Sequence, residues 1–263
     1  MLIRYCSDMH LEGFSSHPLN VLEEHFLPPD GKDDNAVLVL AGDICSHKET
    51  LIGFLNYIAP RFKDVIFISG NHEYYGYDYH EWNDEVSARL STINNLHTSL
   101  GDVNSWVIDG VRFVAGTMWA DGGPVQNEQF VSQYLHDFKV IKYEGHKFTV
   151  DDMKLLNLHQ VEKAKQLINM PFDGITVGIS HHVPSYSFCH PRFGWIVDGG
   201  FAFNGDSIFM ADNAPAVWIF GHTHDTIDKL VGNTHFVCNP AGYRQEWNTA
   251  MNNYFSAPKF INL

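Results

Sequence analysis

Short apolar runs recur along the chain with longer amphipathic stretches between them. Leu2–Cys6, Ala36–Leu40, Val65–Ile68, Val111–Ala115, Ile175–Ile179, Val217–Phe220 and His235–Cys238 read as buried strands. In the first, Ile3 and Tyr5 set against Leu2, Arg4 and Cys6 alternate weakly. Val37-Leu38-Val39-Leu40 does not alternate, the pattern of a strand covered on both faces. Lys48–Ala59, Asp78–Ile93 and Asp151–Ile168 read as helices, the last capped by Thr149 or Asp151. Trp106–Asp109, Gly110 and Val111–Ala115 predict a hairpin turning at Asp109-Gly110. Strands and helices alternate early and strands dominate late, so an α/β fold of sheets enclosed by helices is expected. With no repeat, biased tract or linker, residues 1–263 read as one domain.

Polar residues cluster where these strands stop. Leu2–Cys6 runs into Ser7-Asp8-Met9-His10, and Ala36–Leu40 into Ala41-Gly42-Asp43. Val65–Ile68 runs into Ser69-Gly70-Asn71-His72-Glu73, Ile175–Ile179 into Ser180-His181-His182, and Val217–Phe220 into Gly221-His222-Thr223-His224. Five strands thus deliver carboxylates, imidazoles and an amide at their carboxyl ends, where open α/β sheets bind ligands. In an extended chain residues i and i+2 point the same way, so Asp8 with His10, or His222 with His224, can face one ion. This oxygen and nitrogen donor set suits Mn, Fe or Zn. Asp8, His10, Asp43, Asn71, His181, His222 and His224 suffice for two divalent ions if one carboxylate bridges. Gly42, Gly70 and Gly221 each precede a candidate ligand and permit close backbone approach, although an ordinary turn glycine explains any one of them alone.

Composition narrows the partners. The 263 residues are 44% hydrophobic and 14% aromatic, enough for a sizeable core. A formal net charge of -14 excludes a broad basic footprint for nucleic acid or anionic lipid. Two divalent cations held by two aspartates would leave the site at about +2, a local attraction for a phosphate that the overall field lacks. Cys6, Cys45, Cys189 and Cys238 form no CxxC pair; they read as free thiols in a reducing compartment, and Cys6 and Cys45 as small buried residues rather than ligands. No run is long enough for a signal peptide or a membrane span, so a cytoplasmic protein is expected, of unassigned oligomeric state.

Together, Asp8-Met9-His10, Gly42-Asp43, Gly70-Asn71-His72-Glu73, His181 and Gly221-His222-Thr223-His224 resemble, in order, the motifs of the calcineurin-like metallophosphoesterases. The resemblance implies a four-layer α-β-β-α sandwich of two mixed sheets flanked by helices. It implies two cations, one on Asp8, His10, Asp43 and His224, the other on Asp43, Asn71, His181 and His222, with Asp43 as the bridge. It further implies attack of a metal-held hydroxide on a phosphodiester or phosphomonoester, His72 as general acid, substrate contacts from Asn71 and His72, and Glu73 as support. One departure from the pattern bears on substrate. Protein phosphatases of this superfamily place an Asp-Arg-Gly arginine after Gly-Asp, whereas here Ile44-Cys45-Ser46-His47-Lys48 follows. A small phosphate ester is therefore favoured over a phosphoprotein, and over nucleic acid given the charge. A metal-stabilised binding module is disfavoured because such a module has no need of His72, and a di-iron bundle because no helix carries Glu-x-x-His.

Other residues invite weaker expectations. His182 is left as a substrate contact, while His47, His80, His136, His159 and His190 read as solvated or core histidines. Arg192 and Arg244 are weighed as phosphate contacts and read as surface arginines. Tyr74, Tyr75, Tyr77 and Tyr79 line an aromatic pocket or pack a loop. Asn239–Tyr243 borders the site, and residues 119–144 form a possible cap over it.

Overall fold

In a computed structural model of the chain, which describes residues 1–14, 19–191, 194–246 and 259–263, every expected strand forms. In chain order the strands are β1 (Leu2–Cys6), β2 (Ala36–Ala41), β3 (Asp64–Ile68), β4 (Leu96–Ser99), β5 (Asn104–Ile108), β6 (Val111–Gly116), β7 (Lys142–Tyr143), β8 (His146–Lys147), β9 (Ile175–Ser180), β10 (Val217–Phe220), β11 (Ile227–Val231), β12 (Thr234–Cys238) and β13 (Phe260–Asn262). The α-helices are α1 (Leu19–Phe26), α2 (Lys48–Ile58), α3 (Tyr79–Leu90), α4 (Glu128–Tyr134), α5 (Asp137–Val140), α6 (Val150–Asn169) and α7 (Asp206–Phe209).

Two sheets result. One has the order β13-β1-β2-β3-β4, parallel except for β13. The other has the order β11-β12-β10-β9-β6-β5, a parallel centre with antiparallel edges β11 and β5. The strand period of two explains how they stack. Ile3, Tyr5, Val37, Val39, Val177, Ile179, Val217 and Ile219 point between the sheets and form one core. Leu38, Leu40, Val65 and Phe67 point outward under α2 and α3, while Val114, Trp218, Phe220 and Phe236 point outward under α6 and α7. Gly178 follows from this packing, since a Cβ there would stand 2.1 Å from the Trp218 ring of the neighbouring strand. The arrangement is two mixed sheets face to face with helices outside, the four-layer sandwich expected.

Local chemistry accounts for the element boundaries. Thr149, not Asp151, caps α6: its side chain accepts from the Asp152 amide and the Asp152 carboxylate returns to the Thr149 amide, a reciprocal capping box. Asp78 caps α3 by accepting from the His80 amide. The hairpin turn falls at Asp109 and Gly110, with φ of 47° and 76°, as a two-residue turn matched to strand twist requires. At the far ends of the strands, Thr117 and Ser69 join the two sheets through Oγ1 to O at 2.7 Å. Among the described residues no helix is long and apolar enough to cross a membrane.

Candidate metal centre

The carboxyl ends of β1, β2 and β3 in one sheet meet those of β9 and β10 in the other. Asp8, His10, Asp43, Asn71, His181 and His224 are buried there, while His72 and His222 are partly exposed and mark the open side. Three groups of side chains offer ligand atoms within 4.8 Å of one another: Asp8, His10 and His224; Asp43, His181 and His222; and, between them, His10, Asp43 and His72. All seven expected ligands thus converge, Asn71 through its Oδ1 at 3.1 Å from His181 Nε2.

The backbone achieves this differently from the extended-chain expectation. Asp8, His10, Asp43, His222 and His224 all have left-handed φ, between 47° and 68°. Such strain in non-glycine residues persists only where surrounding structure over-determines it, and it gathers at functional sites. Asp8 and His10 do face one cluster. His222 and His224 separate into different clusters, so the two-residue spacing bridges the pair of sites here instead of filling one.

Hydrogen bonds decide which atom each residue presents. His10 Nδ1 faces Glu12 Oε1 at 3.2 Å, and His224 Nδ1 faces Glu246 Oε2 at 2.7 Å. With those carboxylates taking the Nδ1 protons, both Nε2 atoms turn lone pairs toward each other across 3.2 Å, with Asp8 Oδ1 3.4 Å from His224 Nε2. His181 Nδ1 donates to the Ala41 carbonyl at 2.9 Å, which leaves its Nε2 facing Asn71 Oδ1, His222 Nδ1 at 3.2 Å and Asp43 Oδ2 at 3.3 Å. Asn71 Nδ2 donates to Asp137 Oδ1 at 2.8 Å, so its oxygen is the atom turned inward. Each cluster gathers imidazole nitrogens and carboxylate oxygens, joined beside His181 by the Asn71 oxygen, a donor set that fits a cation. The proton affinities show the same field. Burial alone would lower His181, but the charge and hydrogen bond of Asp43 raise it to about 9. Burial would also lower His224, but Asp8 and Glu246 raise it to about 10. Burial opposes the charge on Asp8 and Asp43, yet the facing histidines hold both carboxylates below the usual range.

The motif glycines are required by close approach. A Cβ at Gly42 would stand 2.5 Å from His181 Nδ1, at Gly70 2.2 Å from Asp43 Oδ1, and at Gly221 2.7 Å from Asp8 Oδ2. Glu73 lies beneath the site. Its carboxylate accepts from the amides of Asp43, Ile44, Cys45 and Gly70 and clamps the Asp43 loop. Asp8 accepts from the His222 amide at 3.0 Å, tying one sheet's strand end to the other's.

His72 stands on the open side. Its ring stacks on Tyr75 at 4.1 Å, its Nδ1 faces Glu12 at 3.6 Å, and its Nε2 lies 3.9 Å from Asp43 Oδ2. Tyr243 does border the site, with its hydroxyl 3.0 Å from His72 Nε2. Of the tyrosine run, Tyr75 reaches the site, Tyr74 and Tyr79 pack the core, and Tyr77 lies under Lys48. His182 does not line the open side: it is fully buried, with its ring 5.1 Å from that of Trp119 and 4.4 Å from that of His222. The segment 119–144 contributes Trp119 behind His182 and Asp137 beneath Asn71. Arg244 packs on Phe14 at 5.6 Å, and Arg192 lies outside the described residues. His80 and His159 are exposed beside Glu144 and Asp102. Cys6, Cys45 and Cys238 are buried free thiols, Cys6 pushed up to about 12 by burial, and no cysteine joins a ligand group among the described residues.

Glu12, Asp137 and Glu246 escaped sequence reasoning. Only Glu12 carried a signal, two residues beyond His10; Asp137 and Glu246 arrive from distant segments.

The chain belongs to the calcineurin-like phosphoesterase family, whose model matches residues 1–226. It is similar to an uncharacterized protein of Acanthamoeba polyphaga mimivirus, 23% identical over 266 residues that cover 94% of this chain and 93% of the relative. It is similar in structure to the phosphopantetheinyl hydrolase of Mycobacterium tuberculosis, with a TM-score of 0.75 and 14% identity over 98% of this chain and 95% of the other. At that identity the likeness establishes a shared fold.

Proposed function

We propose that the protein is a binuclear-metal hydrolase of a small phosphodiester or phosphomonoester. The convergence of acceptor atoms on both sides of Asp43, with His72 at the open edge, carries this reading. Asp8, His10, Asp43 and His224 would hold one divalent cation, and Asp43, Asn71, His181 and His222 the other, with Mn, Fe or Zn suited to the donors. The bound pair supplies Lewis acidity for phosphoryl transfer to water and positive charge for an anionic substrate. Asn71 serves through its oxygen, since its amide group is engaged by Asp137 and Tyr75. His72 is then the side chain that meets the substrate and holds the proton for the leaving oxygen. Glu12, facing both His10 and His72, ties the acid to the metal centre.

Two observations favour a small ester over a phosphoprotein. Lys48, the cation nearest in sequence to the absent arginine, is engaged by Glu85 and by the face of Tyr77 at 4.5 Å. Arg244 is turned onto Phe14. A net charge of -14 sets nucleic acid further back. The test is metal analysis followed by hydrolysis of 4-nitrophenyl phosphate, bis(4-nitrophenyl) phosphate and a metabolite panel that includes a phosphopantetheinyl ester. Near two equivalents of metal and turnover of at least one ester are expected, with loss of about 10²-fold or more in His72→Ala on an ester whose leaving oxygen must be protonated. A metal-replete protein inert on the whole panel overturns the reading.

A further inference from the structure

Beside His72 stands a hydroxyl that neither ligand cluster employs. Tyr243 follows β12 in a turn pinned to the β1 loop, Ala241 N to Ser7 O at 3.0 Å and Gly242 N to Asp8 O at 2.9 Å. Its own amide donates at 2.7 Å to Glu246 Oε2, the atom that also faces His224 Nδ1. Its ring lies against those of His10 and His224, with centroids 4.3 Å and 4.7 Å away. Three backbone hydrogen bonds and two ring contacts thus fix the hydroxyl 3.0 Å from His72 Nε2, on the partly exposed side of the site. The opposite nitrogen of His72 is turned to Glu12 and its ring face to Tyr75. Nε2 is therefore the nitrogen placed to move a proton toward substrate, and Tyr243 is the group it meets there.

We propose that Tyr243 is a catalytic residue that relays the proton from His72 to the leaving oxygen. The proposal rests on the phosphoesterase reading above. As the water oxygen bonds to phosphorus and the ester P–O bond breaks, the leaving oxygen takes the Tyr243 hydroxyl proton. The Tyr243 oxygen takes the proton of His72 Nε2, and His72 regains one from the water consumed. The products are a neutral alcohol and a phosphate carrying the water oxygen, and both side chains end as they began.

Tyr243→Phe keeps the ring against His10 and His224 and removes only the hydroxyl. With manganese-loaded enzyme, kcat on an alkyl ester should fall about 10²-fold at unchanged KM, while a 4-nitrophenyl ester, whose leaving group departs as a stable anion, should lose less than about 3-fold. In a His72→Ala background the same change should cost nothing further on the alkyl ester, because a relay without its donor is already silent. Equal losses on the two esters, or additive losses in the double variant, overturn the proposal. So does a fall in metal content or thermal stability of Tyr243→Phe, which would assign the residue to support of His10 and His224. Wild-type protein inert on every ester overturns the underlying reading and the relay with it, an outcome distinct from the others.

Discussion

A ligand histidine is only as good as the atom it presents, and here carboxylates outside the ligand set choose that atom. Glu12 and Glu246 hold the Nδ1 sides of His10 and His224, so each Nε2 is offered inward as a lone pair. Glu246→Gln keeps the shape of the side chain but weakens its claim on the His224 proton. Metal affinity should fall about 10- to 100-fold, measured by competition with a chelating dye. Unchanged affinity would mean that Glu246 is a bystander. Gly42 makes the complementary point about space. In Gly42→Ala the new methyl would meet His181 Nδ1 at 2.5 Å and the Gly70 amide at 2.8 Å, at a φ of +84° that side-chain-bearing residues rarely adopt. His181 must shift, and hydrolysis should fall by about 10²-fold, with metal content reduced in the same preparation. At this scale the sequence disclosed the candidate ligands that the structure brings together, but not most of their hydrogen-bond partners. Asp-x-His and Gly-His-Thr-His are local strings, whereas the Glu246 and Asp137 carboxylates come from parts of the chain with no motif of their own.

The central strands were legible because burial on both faces demands unbroken apolar runs. Every residue of β2 and of β10 is apolar and buried, while β1 carries the buried Arg4 within its run. Edge strands lack that demand. β11 is exposed over four of its five residues, and β13 is only partly covered, so neither leaves an apolar signature, and both exist because β12 and β1 offer a free hydrogen-bonding edge. Helix ends sit between these cases, since capping is local chemistry that a sequence can show. The box at the start of α6 predicts that Thr149→Ala lowers stability by about 1 kcal/mol in urea unfolding and leaves ester hydrolysis unchanged. A loss of activity in that variant would imply that α6 is coupled to the site, against its position on the outer face of the second sheet.

Across the whole molecule, two sheets bring like-charged acceptors together, and that convergence has to be offset by positive charge. Without metal the charge comes from protons on His181 and His224, held at about 9 and about 10 against 6.5 in an unperturbed ring. A group whose pKa is raised by folding stabilises the fold fully below its unfolded value and loses that contribution as pH climbs through its folded value. Metal-stripped protein should therefore lose thermal stability as pH rises from about 6.5 toward 10, by about 5 °C or more, and saturating manganese should flatten the decline by replacing the protons. A metal-free Tm that does not change over this range would show that the acceptors are relieved in another way.

What the sequence by itself determined is the set of strand-terminal donors and the period-two cores beneath them, because both are written in residues close together along the chain. Residue spacing by itself left the division of those donors open, and the tertiary structure sets how they group. His222 and His224 part into separate clusters, Asp43 stands between the clusters, and Tyr243, Glu246 and Asp137 close in from remote segments. The physical reason is that left-handed backbone at five ligand positions and the packing of one sheet on the other set directions that no local spacing records.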